Sequence, residues 1–368
     1  MKVLFFYLKA FSETGGIEKF NRNFLKALHE LSVDTFIDAD ASSPYDRRPD
    51  EKYFPRLRFK GYGGKRIFFV MGAILQGLRY DTVIIGHINL AIVGNLLKKL
   101  KPSIKLIVLA HGIEVWQTQK GIKGKLLENA DMILSVSNFT KEKIVEHAPA
   151  IDRNKIKIFP NTVDPYFPIP EVFEKPDYLL KRFNIDQSTK VLLTVTRLSS
   201  REKYKGYDNI IASIGELSKG YSDLKYLLCG RFDEIERTRI QSLIKKHGAE
   251  NFVMLPGFIA DEELIDHYLL ADVFVMPSKK EGFGIVFIEA LSCGRKVIAG
   301  SKDGSVDALM NGALGKLIDP DSSDELKVAI NDSLNGSEYD PAGLQQRVLK
   351  AFGFPQYKNR LLDYLSNT

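Results

Sequence analysis

The 368-residue chain is 44% hydrophobic and 27% charged, a globular composition that excludes disordered, collagen-like and membrane-spanning classes, and its length gives a prior of roughly two domains. Two cysteines, Cys229 and Cys293, exclude a disulfide framework and fit a reducing, cytoplasmic compartment. The net charge of +6 is unevenly spread: residues 1–164 carry 26 basic and 17 acidic side chains, +9, and the remainder is −3, with no RNA-binding signature or zinc-finger spacing to point to nucleic acid. Along the chain, the opening run Met1-Lys-Val-Leu-Phe-Phe is followed by Lys9, Ser12 and Glu13 and by no small-residue cleavage site, so it reads as a buried strand rather than a signal peptide. Strands are expected at Val3–Tyr7, Thr35–Ile37, Thr82–Ile85, Lys105–Ala110 and Met132–Ser135. Between them, helical periodicity marks Ile17–Leu31, Ala91–Leu100 and Thr140–Ala148. The longest apolar run, Ile67 to Leu75, is far short of the ~20 residues a membrane span needs.

Five prolines between Pro160 and Pro176 interrupt the pattern and mark a linker. The alternation then restarts, with strands expected at Lys190–Thr196, Lys225–Cys229, Val273–Met276 and Lys296–Ala299. Helices are expected at Tyr207–Ser218, Glu236–His247, Glu262–Leu270 and Phe283–Ser292. The fold class is therefore α/β: two Rossmann-like, doubly wound domains in tandem, facing a central cleft, with ligands at the carboxyl ends of the strands. The boundaries expected are 1–165 with a returning segment at about 350–368, and 166–349.

The strongest chemical signal is Glu281-Gly-Phe-Gly-Ile-Val-Phe-Ile-Glu289, which follows a strand and runs into an apolar helix. Gly282 and Gly284 let backbone approach a ligand, and the amides opening the helix attract anions. Glu289, expected about two turns in, can accept two hydrogen bonds from a vicinal diol, and Glu281 can meet hydroxyls of a second sugar-like group. Spacing alone fits equally a glycine turn feeding a core helix with one solvated acid. Arg197 ends a strand and Lys205 precedes a helix, so both can neutralise a diphosphate; taken alone, they also read as solvated loop charges. Gly15 and Gly16 lie between the first strand and its helix, and His111 follows a strand. His87 also follows a strand, Thr82–Ile85, and is a weaker candidate, for the acceptor side.

Pro277-Ser278 and Glu281 through Gly294 resemble the glutamate-any-seven-glutamate signature of retaining GT-B glycosyltransferases, and most closely family 4 (glycosyl transferase group 1). Gly15-Gly16 with Glu18 and Asn21, Ala110-His111-Gly112, Ser137-Asn138, Pro160-Asn161-Thr-Val-Asp164 and Thr196-Arg197-Leu198 with Lys205-Gly206 are similar to the family's other segments, in order. The resemblance covers nearly the whole chain. It implies a hexosyltransferase whose first domain binds the acceptor and whose second binds a nucleotide sugar. His111 and Glu281 would be catalytic; Gly15, Gly16, Arg197, Lys205, Gly282, Phe283, Gly284, Ile285, Val286 and Glu289 would bind the donor.

It further implies no metal and no cofactor other than the donor as substrate, with UDP-glucose the expected donor. The acceptor would be a saccharide or lipid-linked saccharide in polysaccharide or glycoconjugate biosynthesis. The basic first domain would touch the inner, anionic face of a membrane. The chain departs from the family at Ser301-Lys-Asp-Gly-Ser-Val-Asp307, where a Gly-Pro-Glu-like turn is usual, and at Cys229-Gly230-Arg231-Phe232. Two other readings compete: a catalytically silent nucleotide-sugar-binding scaffold, and an NAD-dependent oxidoreductase. The second lacks a GxGxxG after Tyr7.

Overall fold

The computed structural model describes residues 1–221, 223–336 and 339–366. The expected spans 166–349 and 350–368 include residues 222, 337, 338, 367 and 368, which lie outside the described residues. The chain divides into two compact units, Met1–Pro165 with Phe352–Thr368, and Tyr166–Ala351.

The first unit runs β1 (Lys2–Phe6), α1 (Gly16–Asp34), β2 (Asp38–Ser43), β3 (Phe59–Gly61), α2 (Arg66–Gly77), β4 (Thr82–Ile85), α3 (Ala91–Leu100), β5 (Lys105–Ala110), α4 (Gly121–Asn129), β6 (Met132–Ser135), α5 (Asn138–His147) and β7 (Ile156–Ile158). Its seven strands are all parallel, in the order β3-β2-β1-β4-β5-β6-β7. Because β2 and β3 build outward on one side of β1 and β4 onward on the other, the chain reverses direction between β1 and β4. Ligand crevices form at the carboxyl ends of strands beside such a reversal.

The second unit runs α6 (Asp177–Phe183), β8 (Lys190–Val195), α7 (Tyr207–Leu217), β9 (Leu224–Cys229), α8 (Glu234–Lys246), β10 (Val253–Gly257), α9 (Asp261–Leu270), β11 (Val273–Met276), α10 (Ile285–Ser292), β12 (Lys296–Gly300), α11 (Ser305–Ala308), β13 (Lys316–Ile318), α12 (Ser323–Asn335) and α13 (Pro341–Phe352). Its parallel order is β10-β9-β8-β11-β12-β13, with the reversal between β8 and β11.

The chain ends in α14 (Phe354–Ser366), which belongs to the first unit. Tyr357, Leu361 and Leu365, four apart and so on one helix face, are buried. The Tyr357 ring lies 4.4 Å from that of Phe159, and Lys358 pairs with Glu30 at 2.9 Å and Asp34 at 3.1 Å on α1. At the return point the Phe352 carbonyl accepts from the Val163 amide at 3.0 Å and the Thr162 hydroxyl at 2.8 Å.

Helix starts differ from the expected ones by two residues at α5, α8 and α10, and one strand is placed elsewhere. The second strand is Asp38–Ser43 rather than Thr35–Ile37. Its small, polar side chains carry no apolar signal, whereas the more strand-like Phe36 beside it is exposed. The helix expected from Phe283 begins at Ile285, because Gly284 adopts a left-handed conformation (φ 89°) and serves as its N-cap. That shift leaves Glu289 about one turn into the helix rather than two.

Candidate active site

In the second unit the loops after β8 and β11, the two strands at the reversal, carry the charged groups. Lys205 sits in a single 3-10 turn just before α7, and the following Gly206 has φ 83°. A Cβ at Gly206 would lie 2.2 Å from the Pro277 carbonyl oxygen, so the turn closes against the loop after β11 only with glycine there. The Lys279 amide donates to the Tyr204 carbonyl at 2.9 Å and holds the two loops together.

This apposition brings Lys205 Nζ onto Glu281 Oε1 in a direct ion pair, with both side chains largely buried (12% and 15% exposed). Glu202 Oε2 approaches the same ammonium at 4.0 Å, and its Oε1 pairs with Arg197. Burial opposes the charge on Lys205. The facing Glu281 carboxylate, helped by Tyr204 and Glu202, outweighs it and holds the ammonium above its ordinary value. Arg197 is 65% exposed, so its guanidinium faces solvent at the end of β8. The arrangement is a buried cation beside an open one, laced by two carboxylates.

Glu281 is itself held from behind. Its amide donates to Asp303 Oδ2 at 2.7 Å, and the same oxygen accepts the Ser278 hydroxyl at 2.7 Å. Oδ1 of Asp303 accepts the Ser305 amide at 2.9 Å. Burial, with Glu281 nearby, raises the Asp303 carboxyl to about 6 against these stabilising hydrogen bonds. Neither Asp303 nor Glu202 stands out from sequence: Asp303 lies in the segment that departs from the family turn, and Glu202 reads as one of several loop charges.

The other candidates in this unit are core residues to varying degrees. Glu289 is 1% exposed, and its Oε2 accepts the Tyr268 hydroxyl at 2.9 Å. Burial and Glu289 keep the Tyr268 phenol protonated as a donor. The Phe283 and Ile285 side chains are buried and Val286 is half-buried, so Phe283 and Ile285 can reach a ligand through backbone alone. Removing the hydroxyl with Tyr268→Phe takes one hydrogen bond from a buried carboxylate. Stability should fall by about 1.5–3 kcal/mol in urea denaturation. A variant as stable as the parent would mean that Glu289 does not depend on Tyr268.

In the first unit, Gly15, Gly16, His87 and His111 all follow strands of the central sheet at their carboxyl ends. Gly15 is the N-cap of α1, with extended backbone (φ 174°), and Gly16 is exposed with no atom within 4 Å of a built Cβ. The loop ahead of them hangs on Asp46, a nearly inaccessible carboxylate that accepts the amides of Ala10 at 2.8 Å, Ser12 at 3.1 Å and Phe11 at 3.3 Å.

His111 Nε2 lies 2.8 Å from the Gly86 carbonyl, an acceptor only, so this nitrogen carries the proton. Its own amide donates to Glu114 at 2.6 Å, and its ring sits edge-on to Phe20 at 4.7 Å. His87 stacks on it at 6.3 Å and accepts the Asn89 amide at Nδ1. Burial, with His111 and Lys123 nearby, lowers His87 to about 3, which keeps it neutral. His87 is thus a structural cap in this loop. Among the described residues, no group of three or more His, Cys, Asp or Glu side chains is arranged to hold a metal ion.

The family described as Glycosyltransferase Family 4 matches residues 14–167, and Glycosyl transferases group 1 matches residues 178–345. Among curated proteins, a GDP-mannose-dependent alpha-(1-6)-phosphatidylinositol monomannoside mannosyltransferase of Mycolicibacterium smegmatis is 26% identical over 251 residues, 62% of this chain and 61% of that protein. The match thus spans about three fifths of the relative's length. Among solved structures, Anabaena Alr3699/HepE in complex with UDP superposes over the whole of both chains with TM-score 0.80 at 18% identity, and its complex with UDP-glucose with TM-score 0.78. The two family matches, in order along nearly the whole chain, and the paired parallel sheets lead to one conclusion: the chain belongs to glycosyltransferase family 4 and has the GT-B fold.

Proposed function

We propose that the protein is a retaining, metal-independent hexosyltransferase that takes its sugar from a nucleoside-diphosphate donor, with UDP-glucose the first donor to test. One observation carries this reading. The buried Lys205–Glu281 pair and the open Arg197 converge at the carboxyl ends of β8 and β11, where a doubly wound sheet binds its ligand. Two cations there stabilise a departing diphosphate by charge alone. Glu281 and the Gly282–Gly284 amides hold the hexose, and Glu289, oriented by Tyr268, takes the ribose diol. His111 and Gly16 in the first unit serve the reacting carbon, and that unit brings a saccharide or lipid-linked acceptor. In this mechanism the leaving diphosphate deprotonates the acceptor hydroxyl on the same face of the sugar.

GDP-mannose is the second donor to consider, because the mycobacterial relative is named as GDP-mannose-dependent. A thermal-shift screen with UDP, GDP, ADP and NAD, their matching sugars and a chelator separates these readings, since a ligand specific to the folded state stabilises it by mass action. One nucleoside diphosphate should raise Tm with or without chelator. A shift with NAD alone would contradict the proposal.

Attachment to an anionic membrane surface is part of the same reading. Ile67, Phe68, Met71 and Leu75 of α2 are all exposed, and at this spacing they line one face of the helix. Lys65, Arg66 and Arg79 flank them, and each basic residue near an anionic surface contributes ~1 kcal/mol. No helix among the described residues is long and apolar enough to cross a membrane. Phe68→Asp with Met71→Asp should release the protein from phosphatidylglycerol vesicles in a sedimentation assay, by tenfold or more. Equal sedimentation of parent and variant would remove this part of the proposal.

A further inference from the structure

The loop that carries Glu281 has no regular structure to fix it, yet its glutamate must be held to a fraction of an ångström if it is to orient a sugar. What fixes it is the turn after β12. The Gly304 amide donates to the Glu281 carbonyl at 2.8 Å, while the Glu281 amide donates to Asp303 Oδ2 at 2.7 Å, so both backbone polar groups of Glu281 are engaged by consecutive residues. Asp303 is wholly inaccessible to solvent, and its two oxygens take three donors: the Ser278 hydroxyl, the Glu281 amide and the Ser305 amide. No cation among these partners neutralises it. A buried carboxylate without a salt-bridge partner is costly, and here one oxygen takes both its donors, Ser278 and Glu281, from the glutamate loop while the other is anchored by Ser305 in its own turn.

We infer that Asp303 is a positioning residue for Glu281, setting the glutamate's orientation toward the transferred sugar without touching the substrate itself. This rests on the donor-site reading above. It lies in the very segment where the chain departs from the family's usual turn, so it is a property of this chain's own residues.

The test separates sugar recognition from nucleotide recognition. An asparagine has the shape of aspartate but only one acceptor oxygen; in Asp303→Asn the amide group must face either the Glu281 or the Ser305 N–H, donor against donor. Affinities for UDP and UDP-glucose, and for GDP and GDP-mannose, are measured by calorimetry on the full chain for the parent, Asp303→Asn, Glu281→Ala and the double variant. Asp303→Asn should weaken the nucleotide sugar tenfold or more while changing the bare nucleoside diphosphate less than threefold. In the double variant the asparagine should add no further loss, because its effect runs through Glu281.

Parallel loss of both ligands, or a loss that persists undiminished in the Glu281→Ala background, would overturn the positioning role and leave a merely structural one. If Asp303→Asn does not fold, Ser278→Ala, which removes one donor from the same carboxylate oxygen, should shift the sugar-to-nucleotide ratio in the same direction by a few-fold; an unchanged ratio would overturn the inference. If Glu281→Ala leaves sugar affinity untouched, the donor-site reading itself fails. That result is distinct from a normal Asp303→Asn protein beside a defective Glu281→Ala.

Discussion

Glu281→Gln should leave a folded protein that turns over about a hundredfold more slowly or worse, the size of effect that follows when a sugar-orienting group is lost. Glutamine retains an oxygen to accept from Lys205 but no charge, so the ammonium keeps a hydrogen bond and loses its principal counter-ion. Glu202, at 4.0 Å, is then its nearest carboxylate. Alanine is the harsher change, since removing one member of a buried pair typically costs about 3–5 kcal/mol. Lys205→Ala should be harsher still for donor binding: it strips the cation from between Glu202 and Glu281 and leaves two carboxylates with a diphosphate to accommodate. Release of nucleoside diphosphate, followed alongside near-ultraviolet circular dichroism, measures activity and fold together. Unchanged turnover in Glu281→Gln would show that the ion pair is structural and the donor lies elsewhere.

The second large effect is on stability. A chain ending at Phe352 loses Tyr357, Leu361 and Leu365, each buried against the first unit, and uncovers the Phe159 ring that Tyr357 covers. Full burial of such side chains is worth about 1.5–3 kcal/mol apiece, against a typical total of about 5–15 kcal/mol. The ion pairs from Lys358 to Glu30 and Asp34 go as well. The shortened chain should lose the cooperative unfolding transition of residues 1–165 and be cut rapidly there in limited proteolysis. A shortened chain that melts and resists protease like the parent would mean that α14 is dispensable packing.

How far the sequence reveals this molecule depends on where the apolar signal lies. The inner strands β1, β4, β5, β6, β8, β9, β11 and β12 are short apolar runs and stand out. The strands that give no such signal, β3, β7, β10 and β13, are the four sheet edges. They are three to five residues long and bury few apolar side chains, so no periodicity can develop in them. β2 misleads for a different reason: Asp38-Ala-Asp-Ala-Ser-Ser43 is placed by its parallel pairing to β1, while a more strand-like triplet lies just ahead of it.

The site divides in the same way. Lys205 and Glu281 lie 76 residues apart, and only the resemblance to a family joins them in sequence; the fold joins them because β8 and β11 are neighbours. Glu289 is legible as an acid on a helix, but not as a buried one, since the hydroxyl that its carboxylate accepts comes from Tyr268 on α9. Asp303 is invisible in one dimension because the groups it holds, Ser278 and Glu281, lie on another loop, and Glu202 because nothing in sequence sets it apart from the other charges of its own loop.

The most direct test is a crystal structure with the nucleoside diphosphate that stabilises the protein. The diphosphate oxygens are expected to lie about 3 Å from Arg197 and Lys205, at the carboxyl ends of β8 and β11. A nucleotide bound at any other place, with Arg197 still on Glu202 and Lys205 still on Glu281, would contradict this.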